Sequence, residues 1–180
     1  MTTDEPSPAS SPPVPRRVGA RVAAYRWLLG IGASVFAADQ LTKAWIANNL
    51  VFGTYGENNG AIAVIPGFFY LVHVGNTGAA WSQFTGRSPM LAALAIATLV
   101  AIYCWRQALG LRDGATQVCF GLLCGGVLGN LTDRILHGHV VDFIDLHFGS
   151  YVYPTFNVAD SGICVGIALY LIRTIRSGRN

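Results

Sequence analysis

The chain has 180 residues, of which 52% are hydrophobic and 12% are charged, and its formal net charge is +3 at pH 7. A soluble domain carries about twice that charged fraction. The composition therefore excludes an ordinary soluble domain and indicates an integral membrane protein built as one compact unit.

The first residues differ in composition from the rest of the chain. The opening stretch MTTDEPSPASSPPVP is rich in Pro and Ser and has almost no apolar side chains to pack. We predict a disordered cytosolic tail over residues 1–20 and a single membrane domain over residues 21–176. A short cytosolic C-terminal tail is expected over residues 177–180.

Four apolar stretches follow the tail, at residues 27–49, 88–105, 114–132 and 158–173. Each is close to the ~20 residues that a helix needs to cross a bilayer. The first stretch follows several arginines, as the apolar part of a cleaved signal peptide also does. Because three further stretches follow and no clear A-x-A site is present, we interpret it as a membrane span.

Basic residues are distributed unequally around these stretches. Since cytoplasmic loops are enriched in Lys and Arg, their distribution predicts that both termini are cytoplasmic. Nine of the twelve Lys and Arg residues fall on that side: Arg16, Arg17, Arg21, Arg26, Arg106, Arg112, Arg173, Arg176 and Arg179.

Two longer connecting segments fall on the outer side, at residues 49–87 and 135–157. The first contains GFFYLVHVGNTGAAWSQF, whose aromatic and β-branched residues predict one or two short strands. The expected fold is an all-α polytopic membrane protein with four transmembrane helices and a small extracytoplasmic β-rich segment that rests on the membrane. Four cysteines lie in predicted spans as packing residues: Cys104, Cys119, Cys124 and Cys164.

Polar side chains cluster at the outer ends of three predicted spans. Asp39 and Lys43 are spaced i, i+4 near the end of the first span, where an exposed ion pair contributes only tenths of a kcal/mol. Asn157 and Asp160 begin the fourth span, where they have the positions of an N-cap and a first-turn acid. Capping does not explain Asp142, which lies just upstream among apolar residues. Further polar residues end the third span: Asn130, Asp133 and Arg134.

These polar groups share one depth of the predicted membrane domain. Ionisable groups in a membrane usually face a functional interior. Two carboxylates in a half-buried pocket resist double ionisation, so one holds a proton while the other acts as a base. Such a pair activates water for attack on an amide without a metal, and we predict neither a metal nor a cofactor.

Five sequence blocks follow one another in a specific order. They are DQLTK (39–43), NTGAAWS (76–82), GGVLGNLTDR (125–134), VVDF (140–143) and FNVADS (156–161). With these blocks, the chain resembles the bacterial lipoprotein signal peptidases, also called signal peptidase II, from about residue 26 to residue 176. Trp81 differs from the Phe that this family often has, and the Pro-rich tail lies outside the matched region.

The resemblance implies an aspartic endopeptidase with a catalytic pair at Asp142 and Asp160. It implies as substrate a prolipoprotein whose lipobox cysteine already carries diacylglycerol, cut just before that cysteine at the outer face of the bacterial cytoplasmic membrane. The expected partners are these substrates and membrane lipid, with no nucleic acid, and the protein is expected to be a monomer. Substrate-binding or supporting roles are implied for a further set: Asp39, Lys43, Asn76, Asn130, Arg134 and Asn157.

The sequence leaves the partner of Arg134 open. One alternative is an ion pair with Asp133, and the other is contact with the substrate backbone. The sequence also leaves open which aspartate is protonated at rest.

Three other functions fit the sequence less well. A zinc peptidase lacks an H-E-x-x-H helix and leaves Asp160 without a role. A proton-coupled transporter acting through Asp39 and Asp160 would need charge near the middle of the membrane. A serine peptidase acting through Ser161 lacks the G-x-S-x-G context. The potential zinc ligands are grouped in one segment: His137, His139, Asp142, Asp145 and His147.

Overall fold

Four long helices and a four-stranded antiparallel sheet make up the described part of the chain. The computed structural model describes residues 23–56, 59–79 and 83–178, so the predicted tail of residues 1–20, Trp81, Arg16, Arg17, Arg21 and Arg179 lie outside the described residues. In chain order the elements are α1 (Arg26–Asn49), β1 (Ile62–Ile65), β2 (Phe69–Asn76), α2 (Ser88–Cys104), α3 (Gly114–His137), β3 (Val140–Phe148), β4 (Tyr151–Phe156) and α4 (Val158–Ser177).

A helix is present at each of the four predicted spans, but only two pass as candidate spans by length and composition. These are α3 with 24 residues and α4 with 20 residues, about 36 Å and 30 Å long at 1.5 Å per residue. The hydrocarbon core of a bilayer is about 30 Å thick. The α2 helix is apolar but has 17 residues, and α1 carries Asp39 and Lys43 in its second half.

The α3 helix is the centre of the bundle, since it packs against α1, α2 and α4. It continues to His137, five residues beyond the predicted end of the third span, and thus places Asn130 and Arg134 on a regular helix. Gly129 allows a close approach to α1, because a Cβ at this position would collide with the carboxylate of Asp39. Gly138 ends the helix with a positive φ of 75°, a backbone conformation that glycine adopts without steric cost.

The sheet has the order β1-β2-β3-β4 and is larger than the sequence analysis expects. The segment predicted to form one or two strands contains β2. The strands β3 and β4, which were not predicted, form a second hairpin over residues 140–156. Bulges interrupt both the β2–β3 and the β3–β4 pairing, and bulges bend a sheet. A core cluster of Ile46, Leu50, Val141 and Phe143 anchors the sheet to the end of α1.

The cysteines are only partly internal. Cys119 is buried and Cys124 is half-buried, whereas Cys104 and Cys164 are exposed on helix surfaces, and all four are free thiols. Packing inside the protein therefore accounts for two of the four.

Candidate active site

Asp142 and Asp160 lie together at the junction of the sheet and the helices. Asp142 is on β3 and is 2% exposed, and Asp160 is in the first turn of α4. Both line a cavity of ≈ 1070 Å³ that also reaches Asn76 on β2 and Asn130 on α3. The two carboxylates that the sequence analysis pairs are therefore neighbours in space.

Amide side chains hold both carboxylates. Asn76 Nδ2 donates to Asp142 Oδ2 at 2.9 Å, and Asn157 Nδ2 donates to Asp142 Oδ1 at 2.7 Å. Asn130 Nδ2 donates to Asp160 Oδ1 at 2.7 Å. Three separate places in the fold, namely β2, α3 and the β4–α4 junction, thus direct hydrogen bonds at the pair, and no ion pair to either carboxylate occurs among the described residues.

Asn157 has two roles at once. Its Oδ1 accepts a hydrogen bond from Asp160 N at 2.9 Å, and its own N–H donates to Asp160 Oδ2 at 3.3 Å, which together form a capping box. Because its Nδ2 also donates to Asp142, this fully buried side chain connects the start of α4 to the second carboxylate. Capping and site assembly are therefore compatible explanations for the same residue.

Burial and, second to it, the negative charge of Asp160 raise the pKa of Asp142 from 3.8 to about 7. Hydrogen bonds from Asn76 and Asn157 favour the charged form and oppose this change in pKa. Near neutral pH, a carboxyl group of this kind can both hold and release a proton.

A second buried cluster lies next to the pair and contains a cation. Lys43 Nζ is 2.8 Å from Asp39 Oδ2 and 2.8 Å from Asp133 Oδ2, and all three side chains are at most 4% exposed. Lys43 also donates to Asn130 Oδ1 at 3.0 Å. This contact orients the Asn130 amide so that its Nδ2 is directed at Asp160.

The carboxylates of this cluster also bind backbone amides of the sheet and of α4. Asp39 Oδ1 accepts from Ala159 N at 2.9 Å, and Asp133 Oδ2 accepts from Val141 N at 3.1 Å. Gln40 Nε2 donates to both carboxylates, at 3.1 Å and 3.0 Å. Gln40 is a contributor that the sequence analysis did not single out, although it lies inside the DQLTK block.

Arg134 lines the cavity and is half-buried. Its guanidinium donates to Gly78 O at 3.1 Å and to Asn130 O at 3.4 Å, and Nε is buried with no hydrogen-bond partner among the described residues. Asp133 binds Lys43 instead, so the structure does not contain the Arg134–Asp133 ion pair that was one of the two alternatives.

All eight predicted site residues come together within this region, either on the cavity wall or directly behind it. They are Asp39, Lys43, Asn76, Asn130, Arg134, Asp142, Asn157 and Asp160. Farther from the carboxylates, the cavity wall is mostly apolar or aromatic, with Tyr55, Leu146, Tyr153 and Phe156 among its members. The sequence analysis did not identify this wall, because β4 was not recognised as a strand.

The potential zinc ligands are dispersed. His147 Nε2 lies 2.8 Å from Asp145 Oδ2, while the His137 and His139 rings are 6.0 Å apart near Phe52. Across residues 23–56, 59–79 and 83–178, no three His, Cys, Asp or Glu side chains are arranged to hold a metal ion. The geometry of these residues does not support the zinc alternative.

Comparison with known proteins gives consistent matches over most of the chain. Residues 31–176 match the family model described as Signal peptidase (SPase) II. A lipoprotein signal peptidase of Syntrophotalea carbinolica is 39% identical over 161 residues, which are 88% of this chain and 96% of that protein. A lipoprotein signal peptidase of Bacillus pumilus is 37% identical over 141 residues, covering 78% of this chain and 87% of that protein.

The fold has a counterpart among solved structures. A bacterial membrane enzyme determined at 2.3 Å resolution matches with a TM-score of 0.73 and 32% sequence identity, covering 89% of this chain and 90% of that chain. A second bacterial membrane enzyme, determined at 1.9 Å resolution, matches with a TM-score of 0.69.

Proposed function

The chain belongs to the signal peptidase II family of aspartic peptidases, and from this premise we propose that Asp142 and Asp160 are its catalytic dyad. The observation that carries the proposal is the environment of the two carboxylates. They are neighbours on the wall of an open cavity, and among the described residues the donors to their side-chain oxygens are neutral amides. Two neighbouring carboxylates that form no direct ion pair oppose each other's ionisation, and such a pair retains one proton near neutral pH.

The proposed reaction is hydrolysis of a peptide bond by an activated water molecule. The ionised aspartate takes a proton from water as the water oxygen bonds to the scissile carbonyl carbon. The protonated aspartate donates a hydrogen bond to the resulting oxyanion. As the oxyanion re-forms the carbonyl and the C–N bond breaks, the leaving nitrogen receives the proton that the first aspartate took from water, which returns that aspartate to its ionised form. Asn130 and Asn157 keep the two carboxylates oriented throughout.

The proposed substrate is a prolipoprotein with a diacylglyceryl-modified lipobox cysteine, cut immediately before that cysteine. The names of the relatives support this substrate class. The mostly apolar cavity wall provides a surface for lipid and for small apolar side chains. Two acyl chains hold such a substrate at the membrane interface, since each buried methylene contributes ~0.8 kcal/mol to partitioning.

We further propose a multi-pass protein of the bacterial cytoplasmic membrane with four spans, both termini in the cytoplasm and the dyad at the outer face. The arginines support this orientation, because Arg26, Arg112, Arg173 and Arg176 lie at the end of the helix bundle opposite the dyad. A monomer suffices for activity, since one chain supplies every residue of the proposed site.

The decisive experiment incubates the purified full-length protein in detergent with two matched peptides that differ only in diacylglyceryl on the lipobox cysteine. We expect cleavage of the lipidated peptide, unchanged by a chelator, and ~100-fold slower cleavage of the unmodified peptide because its bond is misplaced. Equal turnover of both peptides at saturation would contradict the proposed role of the lipid. Loss of activity with the chelator would contradict the metal-free dyad.

A further inference from the structure

A second cavity lies at the end of the helix bundle opposite the dyad. It has a volume of ≈ 200 Å³ and lies between the start of α1 and the loop that precedes α3. Two arginines line it, Arg26 from the first turn of α1 and Arg112 from the loop, together with Trp27 and Gln117. We call this cavity the arginine cleft.

Gln117 fixes the shape of the arginine cleft. This side chain is 3% exposed, and its Oε1 accepts hydrogen bonds from Trp27 N at 3.2 Å and Leu28 N at 3.4 Å. Its Nε2 donates to Ala24 O at 2.8 Å. Because these contacts occupy backbone donors at the start of α1, the positive charge offered to a ligand comes from the two guanidinium groups.

The backbone of Arg112 is held on both sides. Leu111 is 3% exposed and packs against Ile102 and Phe120. Asp113 caps α3 by accepting from Thr116 N at 2.8 Å, and its carboxylate also lies 2.7 Å from Arg173. The carboxylate next to Arg112 in sequence is therefore already paired with another arginine.

The arginines of the cleft lack a counter-charge within the described part of the chain. Neither Arg26 nor Arg112 forms a salt bridge there. Like charges that face one cavity repel each other, so an anion that enters the cavity lowers the electrostatic free energy. Guanidinium groups match the geometry of phosphate oxygens, to which each can donate two hydrogen bonds.

We propose that the arginine cleft binds the phosphate of an anionic phospholipid from the leaflet opposite the dyad. An exposed aromatic side chain in the cleft wall favours a lipid over a free anion, since Trp27 lines the cleft and is 52% exposed. Trp side chains are enriched at membrane interfaces, and basic pockets between membrane helices on the cytoplasmic side bind anionic headgroups. The site lies at the far end of α1 and α3 from the dyad, so it does not depend on the proposed catalytic function.

Native mass spectrometry of the full-length protein, delipidated in a neutral detergent, tests the proposal. The protein is titrated with phosphatidylglycerol and with phosphatidylcholine of the same acyl chains. We expect at least ~10-fold tighter binding of phosphatidylglycerol, because each arginine near the membrane surface contributes about a factor of five. The double variant Arg26→Gln/Arg112→Gln should lose this preference, and each single variant should lose part of it.

The matched control is Arg106→Gln/Arg176→Gln, which removes two positive charges from the same end of the protein outside the cleft. This control should keep the preference for phosphatidylglycerol. If both double variants lose this preference equally, the lipid binds to a diffuse basic surface and the proposed site in the arginine cleft is wrong. Millimolar inorganic phosphate should leave the bound lipid in place, whereas displacement by phosphate would overturn the assignment to a lipid. Thermal unfolding in the same detergent verifies that each variant is folded.

Discussion

Two pairs of carboxylates lie side by side in this protein, and within the described residues only the first pair forms direct ion pairs with a cation. Asp39 and Asp133 share Lys43, whose Nζ is 2.8 Å from each. Asp142 and Asp160 receive hydrogen bonds from neutral amides. A carboxylate held by amides near another carboxylate can keep a proton. The first pair is suited to holding structure and the second to transferring protons.

The two pairs are also connected through the backbone. Asp133 binds the N–H of Val141, and Asp39 binds the N–H of Ala159. Each contact lies one residue before an aspartate of the proposed dyad. The ion cluster therefore fixes the backbone from which Asp142 and Asp160 project, and no direct ion pair joins Lys43 to either of these two carboxylates.

The largest expected effect comes from removing the titratable group in the second pair. Asp142→Asn and Asp160→Asn should each lower cleavage of a lipidated peptide by at least ~1,000-fold, because an amide can neither hold nor accept the proton. Purified variants are assayed by mobility shift of the product. Asp145→Asn is the matched control, since Asp145 is also a buried aspartate of β3 but binds His147. Substantial activity in either dyad variant would remove that residue from the assignment.

Removing the cation from the first pair tests its structural role. Lys43→Met leaves Asp39 and Asp133 buried without their partner, and breaking a buried ion pair in this way costs roughly 3–5 kcal/mol. We expect a lower melting temperature and a lower kcat, since the backbone at Val141 and Ala159 loses its anchor. Thermal unfolding in detergent measures the melting temperature, and the peptide cleavage assay measures kcat.

A double variant separates lost charge balance from lost packing. Without Lys43, the carboxylates of Asp39 and Asp133 are two buried negative charges, and Asp133→Asn removes one of them. The loss of stability in Lys43→Met/Asp133→Asn should therefore be smaller than the sum of the losses in the two single variants. Additive effects would mean that Lys43 and Asp133 act independently, contrary to the geometry.

The sequence predicts Asp142 and Asp160 as one pair and Asp39 with Lys43 as supporting residues, but it predicts neither the pairing of Asp133 with Lys43 nor the connection between the two pairs. The five blocks contain all eight predicted residues, because each block lies at the end of an element where polar side chains stand out against an apolar background. The contact of Asp39 with Ala159 spans 120 positions, and no local pattern predicts such a contact. The partner of Arg134 was open for the same reason, since the choice depends on Lys43 occupying Asp133.

The sheet was underestimated for a different physical reason. The first four residues of β3, Val140 to Phe143, are all buried, so the strand lacks the alternation of polar and apolar residues that marks a strand with one face in water. In β4, Pro154 argues against a central strand, but β4 is an edge strand, where proline is tolerated.

The pH dependence of stability sharpens the contrast between the pairs. Asp142 has a pKa that rises from 3.8 to about 7 on folding, so the native state holds its proton more tightly than the unfolded chain. The resulting stabilisation is complete below pH ~4 and is lost as the pH rises to ~7, by at most about 4 kcal/mol. Asp142→Asn has no titratable group at this position. The melting temperature of the variant minus that of the wild type should therefore increase as the pH rises from ~4 to ~8. A constant difference over this range would contradict the raised pKa.

The smallest expected effect concerns the hydrogen bond from Asn76 to Asp142. This bond favours the charged carboxylate and lowers its pKa, so Asn76→Ala should raise the pKa of Asp142 by up to about one unit. Activity requires one proton on the dyad, and the alkaline limb of kcat/KM should therefore move to higher pH. The measurement is the normalised pH profile, because the absolute rate also depends on the lost contact between Asn76 and Gly78 N. Asn49→Ala is the control, since the Asn49 side chain binds Trp45 O on α1 and its removal should leave the limb in place. A limb that moves to lower pH in Asn76→Ala would mean that Asn76 favours the protonated dyad, and the direction of the hydrogen bond between Asn76 and Asp142 would have to be reversed.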